Sequence, residues 1–161
     1  LRLQWLVEVF VVSVGLFKKY EHTGVVVSDL KRSLEFYNGL LGFPVVRDAE
    51  VKVLNLHVVF LDAGGALIEL LDYHDKRGYV KAPEKYFGVR HLCILVDDIH
   101  SVSEKLKAEG VPCVEPPLEI VPDQVSHAVF LDPDGVHVEL LQRHMPMQPG
   151  AAKPKVPMSR D

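Results

Sequence analysis

The feature that most constrains the fold of this chain is an internal repeat with an offset of about seventy residues. The first copy holds His22-Thr-Gly-Val-Val-Val-Ser-Asp29 and, further on, Phe60-Leu-Asp-Ala-Gly-Gly-Ala-Leu-Ile-Glu69. The second holds His91-Leu-Cys-Ile-Leu-Val-Asp-Asp98 and Phe130-Leu-Asp-Pro-Asp-Gly-Val-His-Val-Glu139. His22 precedes Glu69 by 47 residues and His91 precedes Glu139 by 48. A two-fold packing of the copies would bring two imidazoles and two carboxylates together, a donor set suited to a metal ion.

Within each copy the hydrophobic period changes in the same order. Residues 23–28 form a short run rich in β-branched side chains and read as a buried strand. Ser28 or Asp29 then caps a helix over 30–40, on which Leu30, Leu34, Tyr37 and Leu41 make one apolar stripe and which Gly42 stops. Strands follow at 45–46, 53–61 and 66–71, the last two joined by a Gly-Gly turn. The second copy repeats the plan: a strand at 92–96, a helix from Asp97 or Asp98 to about 109, and a short strand at 111–114. Pro116-Pro117 is expected to open a loop, and strands at 125–131 and 136–141 form a hairpin around Asp132-Pro-Asp-Gly135. The fold class expected is α+β, two tandem βαβββ modules in one domain.

The 161 residues, 48% of them hydrophobic, suffice for one core shared by two small modules. The reading is an apolar extension over 1–17 and one domain over 18–144. That domain comprises module one at 20–73, a polar linker at 74–88 and module two at 89–143; a disordered tail over 145–161 rich in Pro, Lys and Ala follows. The extension lacks the charge order and small-residue cleavage site of a secretion signal and is short for a membrane span. It reads as a strand or short helix covering apolar surface, or as sequence upstream of a module that begins near Leu16. A net charge of −4 and no Lys/Arg run beyond two exclude a broad nucleic-acid-binding field. Two cysteines, Cys93 and Cys113, are too few for a disulfide scaffold; their apolar surroundings predict buried thiols in a reducing cytosol, hence a cytoplasmic protein.

The residues from about Tyr20 to Arg143 resemble the vicinal oxygen chelate superfamily, which includes glyoxalase I, methylmalonyl-CoA epimerase, extradiol dioxygenases, fosfomycin-modifying enzymes and bleomycin-resistance proteins. The resemblance is most specific over Ser28-Asp-Leu-Lys-Arg-Ser-Leu-Glu-Phe-Tyr-Asn-Gly-Leu-Leu-Gly-Phe43 and Asp132-Pro-Asp-Gly-Val-His-Val-Glu-Leu140. It implies metal ligands on the first and last strands of each module, which here are His22, Glu69, His91 and Glu139. Nitrogen and carboxylate donors suit Zn, Ni, Co, Mn or Fe(II). A glutamate buried in an apolar strand is costly without a cation or partner, which independently marks Glu69 and Glu139. Four ligands look most like glyoxalase I, whereas the dioxygenases use three and the bleomycin-resistance proteins none.

The reaction implied is an isomerase or lyase reaction on a small α-oxygenated carbonyl compound or thioester through a metal-stabilised enediolate, with Glu69 and Glu139 as catalytic carboxylates. The alternatives are a drug-sequestering protein without catalysis and a one-domain Fe(II) dioxygenase. Glyoxalase I carries an Arg where this chain has Val26 and an Asn where it has Tyr73, departures that weigh against glutathione. Tyr73 and His137, the latter on the face of Glu139 by strand alternation, are the substrate-contact candidates. His74, Lys76, Arg77, Lys81 and Lys85 offer either an anion-binding cleft mouth or a solvated loop. His57 and His127, each twelve residues before its module's glutamate, are expected on the opposite sheet face and are not counted as ligands. A homodimer, a small-molecule substrate and neither nucleic acid nor membrane complete the expected partners.

Overall fold

Asp29 and Asp98 begin the two helices for the same physical reason. Each has an extended backbone and turns its carboxylate back onto the amide N–H groups of the first turn, which have no partner within the helix. Asp29 accepts from Arg32 N at 3.0 Å, and Asp98 accepts from His100 N and Ser101 N at 3.0 and 3.1 Å. In the computed structural model, which describes residues 19–75 and 88–145, these caps open α1 (Leu30–Leu34) and α2 (Ile99–Ala108). Helix α1 runs straight into a wider turn of π spacing at Glu35–Leu40 and stops where Gly42 takes φ +80°.

Eight strands complete the two modules: β1 (His22–Val26), β2 (Val45–Val51), β3 (Leu56–Asp62) and β4 (Leu67–Tyr73), then β5 (Leu92–Leu95), β6 (Cys113–Val121), β7 (Val125–Leu131) and β8 (His137–Arg143). They form two four-stranded sheets with orders β1-β4-β3-β2 and β5-β8-β7-β6. In each sheet the first and last strands of the module lie side by side and parallel, the other pairs being antiparallel. The expected α+β architecture of two βαβββ modules is therefore present. Neighbourhood of first and last strands is what lets a histidine and a glutamate far apart in sequence stand next to each other.

The second and sixth strands differ from expectation. Strand β2 is seven residues long rather than two, followed by a short 3-10 turn at Lys52–Leu54 and by Asn55 in the left-handed region at φ +53°. Strand β6 continues through Pro116 and Pro117, which were expected to open a loop. Both strands are sheet edges, where a proline's missing N–H faces outward and costs no ladder bond; the register shifts between Glu115 and Leu118 accommodate the pair. The apolar extension, most of the linker (76–87) and the tail beyond Met145 lie outside the described residues. Among the described residues no helix is long and apolar enough to cross a membrane.

The core is shared between modules. Val138 of β8 packs in one cluster with Val25, Val27, Tyr37, Val59, Leu61 and Leu70, and Leu40 and Leu41 of module one pack against the cluster around Ile99, Phe130 and Leu140. Ser33 of α1 and Ser103 of α2 are wholly buried. A polar tie spans the same seam: Tyr37 Oη donates to Asp132 Oδ2 at 2.9 Å, while Asp132 Oδ1 accepts from Asp134 N and Val136 N at 2.9 and 2.7 Å. Beside it Arg32 and Ser28 bind the Asp134 carboxylate, Arg32 Nη2 at 3.0 Å.

Burial pushes the Asp132 carboxyl above its ordinary range, opposed by the bonds from Val136, Tyr37 and Asp134; burial and the same carboxylate drive the Tyr37 phenol far upward. A carboxyl whose folded pKa is raised contributes stability below its unfolded pKa, and that contribution is lost as pH rises through the folded value. Tyr37→Phe removes a donor that favours the ionised form. The expected loss is about 1.5–3 kcal/mol at neutral pH, the scale of a hydrogen bond to a charged group. Urea denaturation of both proteins should show this loss shrinking as pH falls below the folded pKa of Asp132.

Candidate functional site

Parallel pairing of β1 with β4 sets Gly24 opposite Glu69, and pairing of β5 with β8 sets Cys93 opposite Glu139. Two residues before each of these stands the histidine of its module, on the same sheet face because side chains alternate along a strand. His22 Nε2 is accordingly 3.3 Å from Glu69 Oε2, and His91 Nε2 is 3.1 Å from Glu139 Oε2. The exposures match as well as the distances: the glutamate side chains are 16% and 15% exposed and the histidines 40% and 39%. The repeat thus yields two equivalent His–Glu pairs, each with its carboxylate sunk in the sheet face and its imidazole at the surface.

The structure brings the four sequence-predicted residues together two by two. Among the described residues, no three His, Cys, Asp or Glu side chains are gathered in a way that could hold a metal ion within one chain. Each pair supplies one nitrogen and one carboxylate. His22 Nδ1 is engaged by the Glu21 carboxylate, which leaves Nε2 as the atom turned toward Glu69. A carboxylate on the far nitrogen is the arrangement that orients metal-binding imidazoles and fixes their tautomer. It also holds the His22 pKa above its ordinary value, against the small opposing effect of burial, with the Glu69 charge adding to it. The donor chemistry of the pairs fits a divalent ion of the nitrogen and oxygen type.

The surroundings of the two pairs differ. Gly24 leaves the space beside Glu69 open, for a Cβ there would stand 3.5 Å from Glu69 Oε2 and 3.1 Å from Leu71 Cδ1. At the equivalent place Cys93 faces Glu139; burial first, then the hydrogen bond to that carboxylate and its charge, push the thiol up to about 11. Both Cys93 and Cys113 are exposed, which corrects the expectation of buried thiols: Cys93 lies on the open face of β5 and Cys113 at the start of an edge strand.

A second correction concerns His127. Gly64 and Gly65, at φ +80° and +128°, make a two-residue turn closed by Ala63 N donating to Ala66 O. In module two the turn holds three residues, Pro133, Asp134 and Gly135, closed by Asp132 N donating to Val136 O. Hence Phe60 stands opposite Glu69, but Val129 rather than Phe130 stands opposite Glu139. A slip of one residue exchanges the faces of a strand. Phe60 therefore lies edge-on to His22 at 5.7 Å between ring centres, whereas Phe130 is wholly buried in the core. His57 faces away from Glu69 and pairs with Asp48 at 2.5 Å, as expected, but His127 faces the site and places Nδ1 3.2 Å from Glu139 Oε1. The differing turn sequences, Gly-Gly against Pro-Asp-Gly, were the signal that could have revealed it.

The remaining candidates are placed as follows. Tyr73 ends β4 on the face of Glu69, and His137 begins β8 on the face of Glu139. His74 is bonded to Glu50 at 2.7 Å rather than standing free at a cleft mouth; Lys76, Arg77, Lys81 and Lys85 lie outside the described residues.

Residues 19–140 match the model of the Glyoxalase/Bleomycin resistance protein/Dioxygenase superfamily. The chain is 33% identical over 125 residues to a probable lactoylglutathione lyase of Vibrio cholerae, covering 75% of this chain and 88% of that one. It is 30% identical over 134 residues to the mitochondrial methylmalonyl-CoA epimerase of Dictyostelium discoideum, covering 78% of each. Among solved structures, the trypanothione-dependent glyoxalase I of Leishmania major superposes with a TM-score of 0.63 at 30% identity, over 77% of this chain and 86% of that one. With the repeated βαβββ fold, the paired histidines and glutamates and these likenesses, the chain belongs to the glyoxalase/bleomycin resistance/dioxygenase superfamily, the vicinal oxygen chelate fold.

Proposed function

We propose that the protein is a divalent-metal-dependent isomerase or lyase of the glyoxalase I and epimerase type, acting on a small α-oxygenated carbonyl compound or thioester. The observation that carries this reading is the twinned His–Glu pair, with distances of 3.3 and 3.1 Å and matching burial. His22, Glu69, His91 and Glu139 would hold the ion. When bound, a divalent ion polarises a carbonyl oxygen and acidifies the neighbouring C–H. A glutamate, Glu69 or Glu139, takes that proton and returns it to the same or the adjacent carbon; at 16% and 15% exposure the carboxylates remain open to exchange with solvent before the proton returns. Tyr73 and His137, which share the sheet faces of Glu69 and Glu139, would contact the substrate.

Because each chain's pairs are halves of a donor set, the site is proposed to be completed by a second copy. Val26, Leu95 and Leu118, apolar residues on the faces that carry the pairs, are 56%, 65% and 60% exposed. An apolar face of this kind is what a symmetric partner covers.

The reading is tested first by metal analysis of protein prepared without a histidine tag. Stoichiometric divalent metal is expected, and Glu139→Gln should weaken its binding by about tenfold or more. Metal-free protein that binds planar drugs tightly would favour sequestration instead. Mixing His22→Ala and Glu139→Ala variants under subunit exchange distinguishes a shared site from one built within a chain. If His22 and Glu139 come from different chains, one site of each hybrid has all four ligands and metal binding partly returns; otherwise the mixture binds no better than its components. Turnover of candidate carbonyl compounds and thioesters in deuterated water should place solvent deuterium on the carbon beside the carbonyl. Oxygen-consuming cleavage of catechols without such exchange would point to the dioxygenase reading.

A further inference from the structure

His127 lies on the site face and has no counterpart there in module one. Its repeat equivalent His57 lies on the other side of its own sheet, turned there by the one-residue difference between the hairpin turns. The two oxygens of Glu139 are divided between two imidazoles: Oε2 faces His91 Nε2 at 3.1 Å and Oε1 faces His127 Nδ1 at 3.2 Å. The far nitrogen of His127, Nε2, stands 3.5 Å from Glu115 Oε2 on the edge strand β6. The ring is 16% exposed, far less than the 39% of His91. A histidine bound to the opposite oxygen does not share a coordination point with His91. It holds the carboxylate in one orientation, with the Glu115 carboxylate lying near its far nitrogen.

Among the described residues Glu69 has no such support. The space beside it is bounded by Gly24 and by Phe60, neither of which carries a side-chain donor. We infer that His127 is a positioning residue that fixes Glu139 as a ligand-bearing carboxylate, making the two repeat-related glutamates unequal. This rests on the metal-binding reading proposed above.

Hydrogen-bonding partners behind a ligand commonly contribute about 10- to 100-fold in metal affinity. The test uses cobalt(II) as the probe, its affinity for the full chain measured by competition with a chelating dye and its coordination by the visible absorption of the loaded protein. His127→Ala should weaken cobalt binding by about 10-fold or more and alter the cobalt spectrum, while the thermal midpoint of the metal-free protein changes little. His127→Asn, whose side-chain N–H can take the place of Nδ1–H, should restore most of the affinity. His57→Ala, at the equivalent repeat position on the other face, should bind like the wild type.

Wild-type affinity and spectrum in His127→Ala would overturn the positioning role while leaving the metal reading intact. An equal loss in His57→Ala, or no recovery in His127→Asn, would overturn it too, because the effect would then be a general one on the fold. A wild-type chain that binds no cobalt, zinc, nickel or manganese overturns the metal reading and this inference with it.

Discussion

The hydrogen bond from Tyr37 to Asp132 is the contact on which the rest of the arrangement depends. Asp132 belongs to the turn of the β7–β8 hairpin and uses one oxygen to close that turn through Asp134 N and Val136 N. Its other oxygen is buried and reaches the helical segment of module one. A buried carboxylate without partners is strongly disfavoured, so turn and helix must meet for either to be well formed. The same hairpin carries Glu139 on one strand and His127 on the other. Docking of module one on this turn therefore bears directly on the geometry of the module-two pair.

Repetition of a module does not make two identical sites. The strands, the helix caps and the spacing from Phe to Glu are alike in both copies, yet the pairing opposite the glutamate differs by one residue. Because the side-chain period of a strand is two, that slip sets Val129 and His127 where module one has Phe60 and Val58, and sends Phe130 into the core. The energetic cost is small where the core face accepts the new set, as it does with Ala128 and Phe130 wholly buried. Chemical asymmetry thus arises from turn geometry, the His–Glu pair itself being the same in both copies.

What was legible in the sequence follows the range of the interactions. Asp29, Asp98 and Gly42 act within one helical turn, so the helix ends could be read from them. The His22–Glu69 and His91–Glu139 pairs were legible because the repeat supplied each argument twice. Strand β6 was not, since whether Pro116 and Pro117 break a strand depends on its being an edge, which is a property of the whole sheet. Exposure of Cys93 was missed for a related reason: a run such as Leu92–Leu95 is apolar on both sides, and which side faces outward is settled by the partner β8. The role of the Asp132 carboxylate was hidden because its partner is 95 residues away.

The parallel contact between first and last strands explains why the chemistry sits where it does. In each sheet the glutamate occupies the middle of the last strand, where neighbouring ladders hold its backbone on both sides, and its histidine stands at or just before the start of the first strand. The carboxylate is thereby fixed by the sheet, while the imidazole at the strand start keeps freedom to adjust its ring. A charged group embedded in an apolar strand raises the free energy of the fold unless a cation or donor meets it. In the described chain the donors that meet the two glutamates are unequal: His22 for Glu69, and His91, His127 and Cys93 for Glu139. The module-one carboxylate therefore has the stronger physical demand for a further positive partner.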